Sequence, residues 1–346
     1  MSATVRRRAL RLSVLLGVCV ALLLAGAAYL WQLRAFAGYL ADGDATTGTY
    51  VQDPRLADRA AEQVLGGSGR TVPDPPPADA APRADATAPA GGAPQAGPVT
   101  PYASPVPYTY PEPSGPAAAD DDGTVERHAA VAPGPEPALG ALFSPGDDGD
   151  PEHHCSASVV RSPGGSMIVT AAHCVYTWGF KTNLAFVPGY RNGAQPYGVW
   201  VPTRIDIDPR WSEHSDPDHD VAFVQLRRPG HPGARLEDLT GAAPVAFGAP
   251  LPAPGAHLWG YPNTAEEPLT CRGTARAAGP TQVRFDCTGF PNGTSGGPLL
   301  TAAGELIGVI GGRYGGGDDA TSYSSRFDAA TRALYARAAG GPPVTG

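Results

Sequence analysis

From about Ala138 onward the chain is a succession of short apolar runs: SASVV, SMIVT, NLAFV, GVWVPTRI, VAFVQL, AHLWGY, QVRFDC, PLL and ELIGVIGG, most of them bounded by Gly, Pro or Asp. Runs this short cannot make the ten or more residues of a core helix. They are rich in Val, Ile and aromatic side chains, which suit a pleated, half-buried surface. The pattern therefore predicts an all-β sandwich or barrel. A helical period appears only at the end. In RFDAATRALYARA it puts Phe327, Ala330, Leu334 and Tyr335 near one face, so a C-terminal helix packed on the barrel is expected.

The first 135 residues read differently. Arg6, Arg7, Arg8 and Arg11 precede an apolar run from about Leu12 to Trp31. That run is near the roughly 20 residues that span a bilayer, and the basic cluster directs the C-terminal remainder of the chain outward. An uncleaved anchor and a cleaved signal, with small-residue sites such as Ala35-Phe36-Ala37, both fit. Cys19 reads as an apolar membrane residue. From about Ala41 to Pro135 there is almost no hydrophobic periodicity, and Pro, Ala and Gly dominate. Such a stretch buries too little apolar surface to offset its ordering entropy. The expected organisation is thus an N-terminal hydrophobic helix over 1–40, a disordered Pro/Ala/Gly-rich linker over 41–135, and a folded domain over 136–340. The Pro-Tyr pairs of the linker read as spacer.

A net charge of −8 argues against a nucleic-acid partner, which needs clustered Lys and Arg. Four cysteines remain in the exported part: Cys155, Cys174, Cys271 and Cys287. An even number outside the cytosol suggests two disulfides. Three pairings are open, and pairing between neighbours, Cys155–Cys174 and Cys271–Cys287, is the expectation. A zinc site is disfavoured, because no CxxC pair occurs.

Three segments carry chemistry. In Ile168-Val169-Thr170-Ala171-Ala172-His173-Cys174 an apolar strand ends in small residues and presents a histidine, as a general base requires. In Asp218-His219-Asp220-Val221-Ala222-Phe223-Val224 an acid precedes a buried strand, where it can accept an imidazole Nδ1–H. In Gly293-Thr294-Ser295-Gly296-Gly297-Pro298 a serine lies on a glycine-flanked loop that can expose its Oγ and free nearby amides. Each alone is commonplace; the conjunction is not.

TAAHC, DVAFV and GTSGGP in that order resemble the chymotrypsin-like (trypsin-fold) serine peptidases over about Ala138 to Ala339, and the separations look like compact bacterial members near the glutamyl-endopeptidase-like branch. The order also differs from those of subtilisins and α/β-hydrolases. The resemblance implies two six-stranded antiparallel β-barrels with a cleft between them, and a cystine beside the histidine, which Cys155–Cys174 would match. It implies a serine endopeptidase with His173, Asp220 and Ser295 as triad, and the amides of Gly293 and Ser295 as oxyanion hole. It also implies protein or peptide substrates. No cofactor and no metal are expected, and the chain is expected to be a monomer, secreted or tethered by its N-terminal helix. The first specificity pocket would involve Gly289, Ile310, Gly311, Gly312 and Arg313. Thr294 stands where digestive members carry the aspartate that pairs with a new N-terminus. Gly289 is not the acid of trypsin, and Ile310 is not the histidine of glutamyl-specific relatives. A modest apolar P1 side chain is the expectation. A non-catalytic module on the same fold is the competing reading. His153-His154 with Asp147, Asp148 and Asp150 reads as a solvated loop, Asp216, Asp218 and His219 as a polar turn, and the acceptor pattern at Asn292 as chance.

Overall fold

The computed structural model describes residues 40–44, 46–67, 127–134, 136–144 and 152–340. The apolar N-terminal run falls outside them, as do residues 68–126. The described residues form two large antiparallel sheets. The first runs β2 (Thr49–Val51), β9 (Val201–Ile207), β10 (Ala222–Arg227), β6 (Met167–Thr170), β5 (His153–Val160), β4 (Leu139–Phe143) and β8 (Ala185–Pro188). Trp200, just before β9, exchanges both backbone hydrogen bonds with Phe186 on β8, at 2.7 and 2.9 Å. The sheet thereby returns on itself as a nearly closed barrel. Leu142, Val159, Ile168, Phe186, Trp200, Ile205 and Val224 are buried together in its core.

The second sheet runs β15 (Leu306–Val309), β14 (Pro298–Leu300), β11 (Ala253–Gly260), β12 (Leu269–Ala277), β13 (Gln282–Asp286) and β16 (Thr321–Ser325), with β3 (Ala130–Val131) added to β12. Its two ends also meet, where Val309 N–H donates to Ser324 Oγ at 2.9 Å and Gly311 N–H to the Tyr323 carbonyl at 3.0 Å. Each sheet counts seven strands rather than the six expected, because β2 and β3 from upstream chain add one to each. The expected C-terminal helix is present over Ala329–Gly340. Asp328 caps it by accepting from Ala330 and Thr331, and it buries Thr331, Leu334 and Ala338, with Tyr335 edge-on to Phe223 of β10.

One expectation is corrected. Residues 46–67 are not disordered linker. β1 (Leu40–Ala41) pairs with β7 (Phe180–Lys181), β2 pairs with β9, and α1 (Pro54–Gly67) packs on the first barrel. Pro54 opens the helix, and Asp53 Oδ1 accepts from Arg55 N–H. Ala57, Ala60, Ala61 and Val64, at helical spacing, are buried. Each methyl-sized group contributes only about 0.8 kcal/mol, and polar ties reinforce them. Gln52 Nε2 donates to Thr182 O, Gln195 Nε2 to Val64 O, and Arg227 pairs with Asp58 at 2.7 Å.

Glu136, on the approach to β4, is 4 % exposed, and its Oε2 has no partner among the described residues. Burial pushes its pKa up to about 7 from 4.5. The unfolded chain therefore releases this proton first. The penalty is absent below about pH 4.5, grows as pH rises toward 7, and is constant above. Glu136→Gln should flatten that limb and raise stability at pH 8 by on the order of 2 kcal/mol, as read by urea unfolding at pH 5 and pH 8. Equal gains at both pH values would contradict this account.

Candidate active site

The end of β6 delivers the histidine. Ala171 and Ala172 are fully buried, and His173 lies in the single-turn helix α2 (Ala172–Val175). The turn is stapled to β5 by the Cys155–Cys174 disulfide, and Cys271–Cys287 joins β12 to the end of β13. Both are the neighbour pairings expected. His173 meets Asp220 twice. Its backbone N–H donates to Oδ1 at 2.9 Å, and its ring Nδ1 lies 2.8 Å from Oδ2. Asp220 is 0 % exposed, whereas the imidazole is 29 % exposed. Gly312 N–H, from the second sheet, also donates to Oδ2 at 2.8 Å. An acceptor so placed keeps the imidazole proton on Nδ1 and leaves Nε2 as the basic nitrogen.

The Ser295 loop rests on the same strands. Ser156 N–H, on β5, donates to the Ser295 carbonyl at 2.7 Å, and Ser156 Oγ donates to the Gly293 carbonyl at 3.0 Å. Gly296 sits at φ +80°, and a Cβ there would lie 2.1 Å from Thr170 Oγ1 and 2.2 Å from the Ser156 carbonyl. Only glycine permits that approach to the strand leading into His173. Thr294 is buried and donates its hydroxyl to Pro291 O at 2.7 Å. Among the described residues, no acceptor takes the Gly293 or Ser295 amide hydrogen.

The residues expected at the specificity pocket divide. Gly311 and Gly312 lie against Asp220. Ile310 is buried in the core of the second sheet, and its backbone bonds Gly296 and Gly297. Gly289, at φ +100°, adjoins Ala129, and Arg313 is exposed with its guanidinium 6.0 Å from the Tyr323 ring.

One side reading changes and another holds. His153 and His154 do not lie on a solvated loop; they open β5. His153 is buried among Phe143, Tyr190 and Tyr261. His154 bonds the Cys174 carbonyl, and burial lowers its pKa to about 3. Asp147, Asp148 and Asp150 lie outside the described residues. Asp216, Asp218 and His219 form the expected turn, capped by Asp216. Nothing local in the sequence points to Gln282 and Ser325, which bond the turn before Asp220.

Residues 155–309 match the family described as trypsin-like peptidase domain. The chain carries a trypsin-like serine endopeptidase domain. Its fold is similar to that of protease Anisep from Arthrobacter nicotinovorans, with 26% identity, a TM-score of 0.54, and coverage of 61% of this chain and 99% of that one. A thermostable serine protease, AL20, from an extremophilic microorganism aligns at 27% identity and TM-score 0.51, covering 59% and 97%. A Glu endopeptidase shares the fold at 14% identity and TM-score 0.50, covering 62% and 98%. No curated protein sequence matches. The matched residues hold most strands of the two sheets, while β2, β3, β4, β16 and α1 lie outside them.

Proposed function

We propose that this peptidase cleaves protein or peptide substrates outside the cytoplasm, with Ser295 as nucleophile, His173 as general base and acid, and Asp220 as the acid that orients His173. The observation that carries the reading is the doubly bonded His173–Asp220 pair, with a buried acid behind a partly exposed ring. Ser295 Oγ attacks the scissile carbonyl carbon as His173 Nε2 takes its proton. The Gly293 and Ser295 amides, without protein acceptors among the described residues, receive the developing oxyanion. His173 then gives the proton to the leaving amine, the C–N bond breaks, and water hydrolyses the acyl ester at Ser295.

The Thr294–Pro291 bond supports activation without an ion pair at position 294. Two cystines support an oxidising compartment. The apolar segment near the N-terminus supports export, anchored or cleaved. Taking Gly289, rather than an acid, as the base of the first specificity pocket supports a modest apolar P1 side chain.

The test is labelling with a fluorescent organophosphonate alongside hydrolysis of an unbiased peptide library. Wild type should label on Ser295 and cleave; Ser295→Ala should do neither. Cleavage that survives the substitution, or labelling at another serine, would overturn the assignment.

A further inference from the structure

Asp220 belongs to the first barrel, yet one of its donors, Gly312 N–H, belongs to the second. Something must hold that junction in register. The turn before Asp220 is a single 3-10 turn, Pro217–His219, too short to fix its own orientation. Gln282, on β13 and 1 % exposed, reaches across to it. Its Nε2 donates to Pro217 O at 2.9 Å and to Asp218 Oδ1 at 2.7 Å, and its Oε1 accepts the Arg313 amide at 3.1 Å. Ser325 completes the seam, donating its hydroxyl to Pro217 O at 2.9 Å and accepting the Asp220 amide at 3.1 Å. Gly312, at φ +78°, fits between them, since a Cβ there would lie 2.6 Å from Gln282 Oε1 and 3.0 Å from Pro217 O.

We infer that Gln282 is a positioning residue for the triad: its carboxamide fixes the 311–313 segment against the Asp220 turn, so that the Gly312 amide and the imidazole address the same carboxylate oxygen. This rests on the assignment of His173 and Asp220 above. A side chain that only filled space would not need both ends of its amide engaged across two barrels. Losing the register should move Asp220 by a fraction of an ångström, and displacements of that order are costly at a reacting centre.

The experiment is steady-state kinetics of Gln282→Leu, normalised to sites titrated with the phosphonate. The expected result is a fall in kcat of about 10- to 100-fold with KM within about threefold. The acidic limb of the kcat profile should move to lower pH, because a displaced carboxylate stabilises the imidazolium less. Should Gln282→Leu not fold, Ser325→Ala provides the smaller perturbation with the same signature. A folded variant of either kind, with wild-type kcat and an unmoved acidic limb, assigns a purely structural role and overturns the inference. Asp220→Asn separates the two layers. If it remains active, the triad assignment fails; if it is inactive while Gln282→Leu and Ser325→Ala match wild type, only the positioning role fails.

Discussion

Asp220→Asn should lower kcat by about 10⁴-fold, the scale seen when the acid of a Ser-His-Asp triad loses its charge. In the structure the Asp220 carboxylate accepts three N–H groups: the His173 amide, the His173 ring and the Gly312 amide. An asparagine has one acceptor oxygen, so its NH₂ must face an N–H or force the ring proton onto Nε2. The second outcome removes the base from Ser295. KM should change little, because Asp220 is fully buried and cannot touch substrate. The check is kcat and KM at pH 8 on a peptide substrate, with circular dichroism to establish that the variant is folded. A loss below about tenfold would mean that His173 does not depend on this carboxylate.

Asp206→Ala should produce the largest loss of stability. Asp206, on β9, is 0 % exposed, and its carboxylate joins three parts of the chain. It accepts Thr49 Oγ1 of β2 at 2.8 Å, Arg204 at 2.7 and 2.8 Å, and Arg337 Nε of the C-terminal helix at 3.3 Å. Removing it strips two guanidinium groups of this counter-charge, which costs about 3–5 kcal/mol for a buried pair. Both arginines retain some access to water, so the lower figure applies. For a domain of this size that corresponds to a fall in Tm of roughly 10 °C. Below the transition the variant should still turn over, since Asp206 makes no bond to His173, Asp220 or Ser295. A shift of less than about 2 °C in a thermal scan would show that the arginines find other partners.

The sequence exposed the His173–Asp220 contact and the close-packed glycine loop more fully than the architecture around them. TAAHC, DVAFV and GTSGGP were legible because each encodes local geometry: small residues where a strand end must pass close to a glycine loop, an acid directly before a buried strand, and glycine where Gly296 meets Ser156 and Thr170. The seam through Gln282 and Ser325 was not legible. A glutamine at the head of a strand gives no local signal, and its partners are 31 to 65 residues away. The docking of α1 was missed for another reason. Its Ala57, Ala60, Ala61 and Val64 have the right spacing, but alanines bury little area, and the neighbouring Pro/Ala-rich stretch hides them. The signal was Asp53-Pro54, a cap followed by a first-turn proline. The strand count differed for the same cause, since β2 is three residues long and recognisable only by its pairing with β9.

The early segment that docks on the first barrel also has a bearing on how the molecule is assembled during synthesis. Residues 49–64 reach their long-range hydrogen-bond partners 130 to 173 residues later in the chain. At about 5–20 residues per second, translation delivers those partners many seconds after α1 has left the ribosome. A fourteen-residue helix is marginal by itself in water. The segment must therefore wait, unfolded, for β9 and β10 to exist. This early stretch of chain finds its place only after its partners 130 and more residues downstream have been made, and until then the first barrel lacks the strand β2 beside β9.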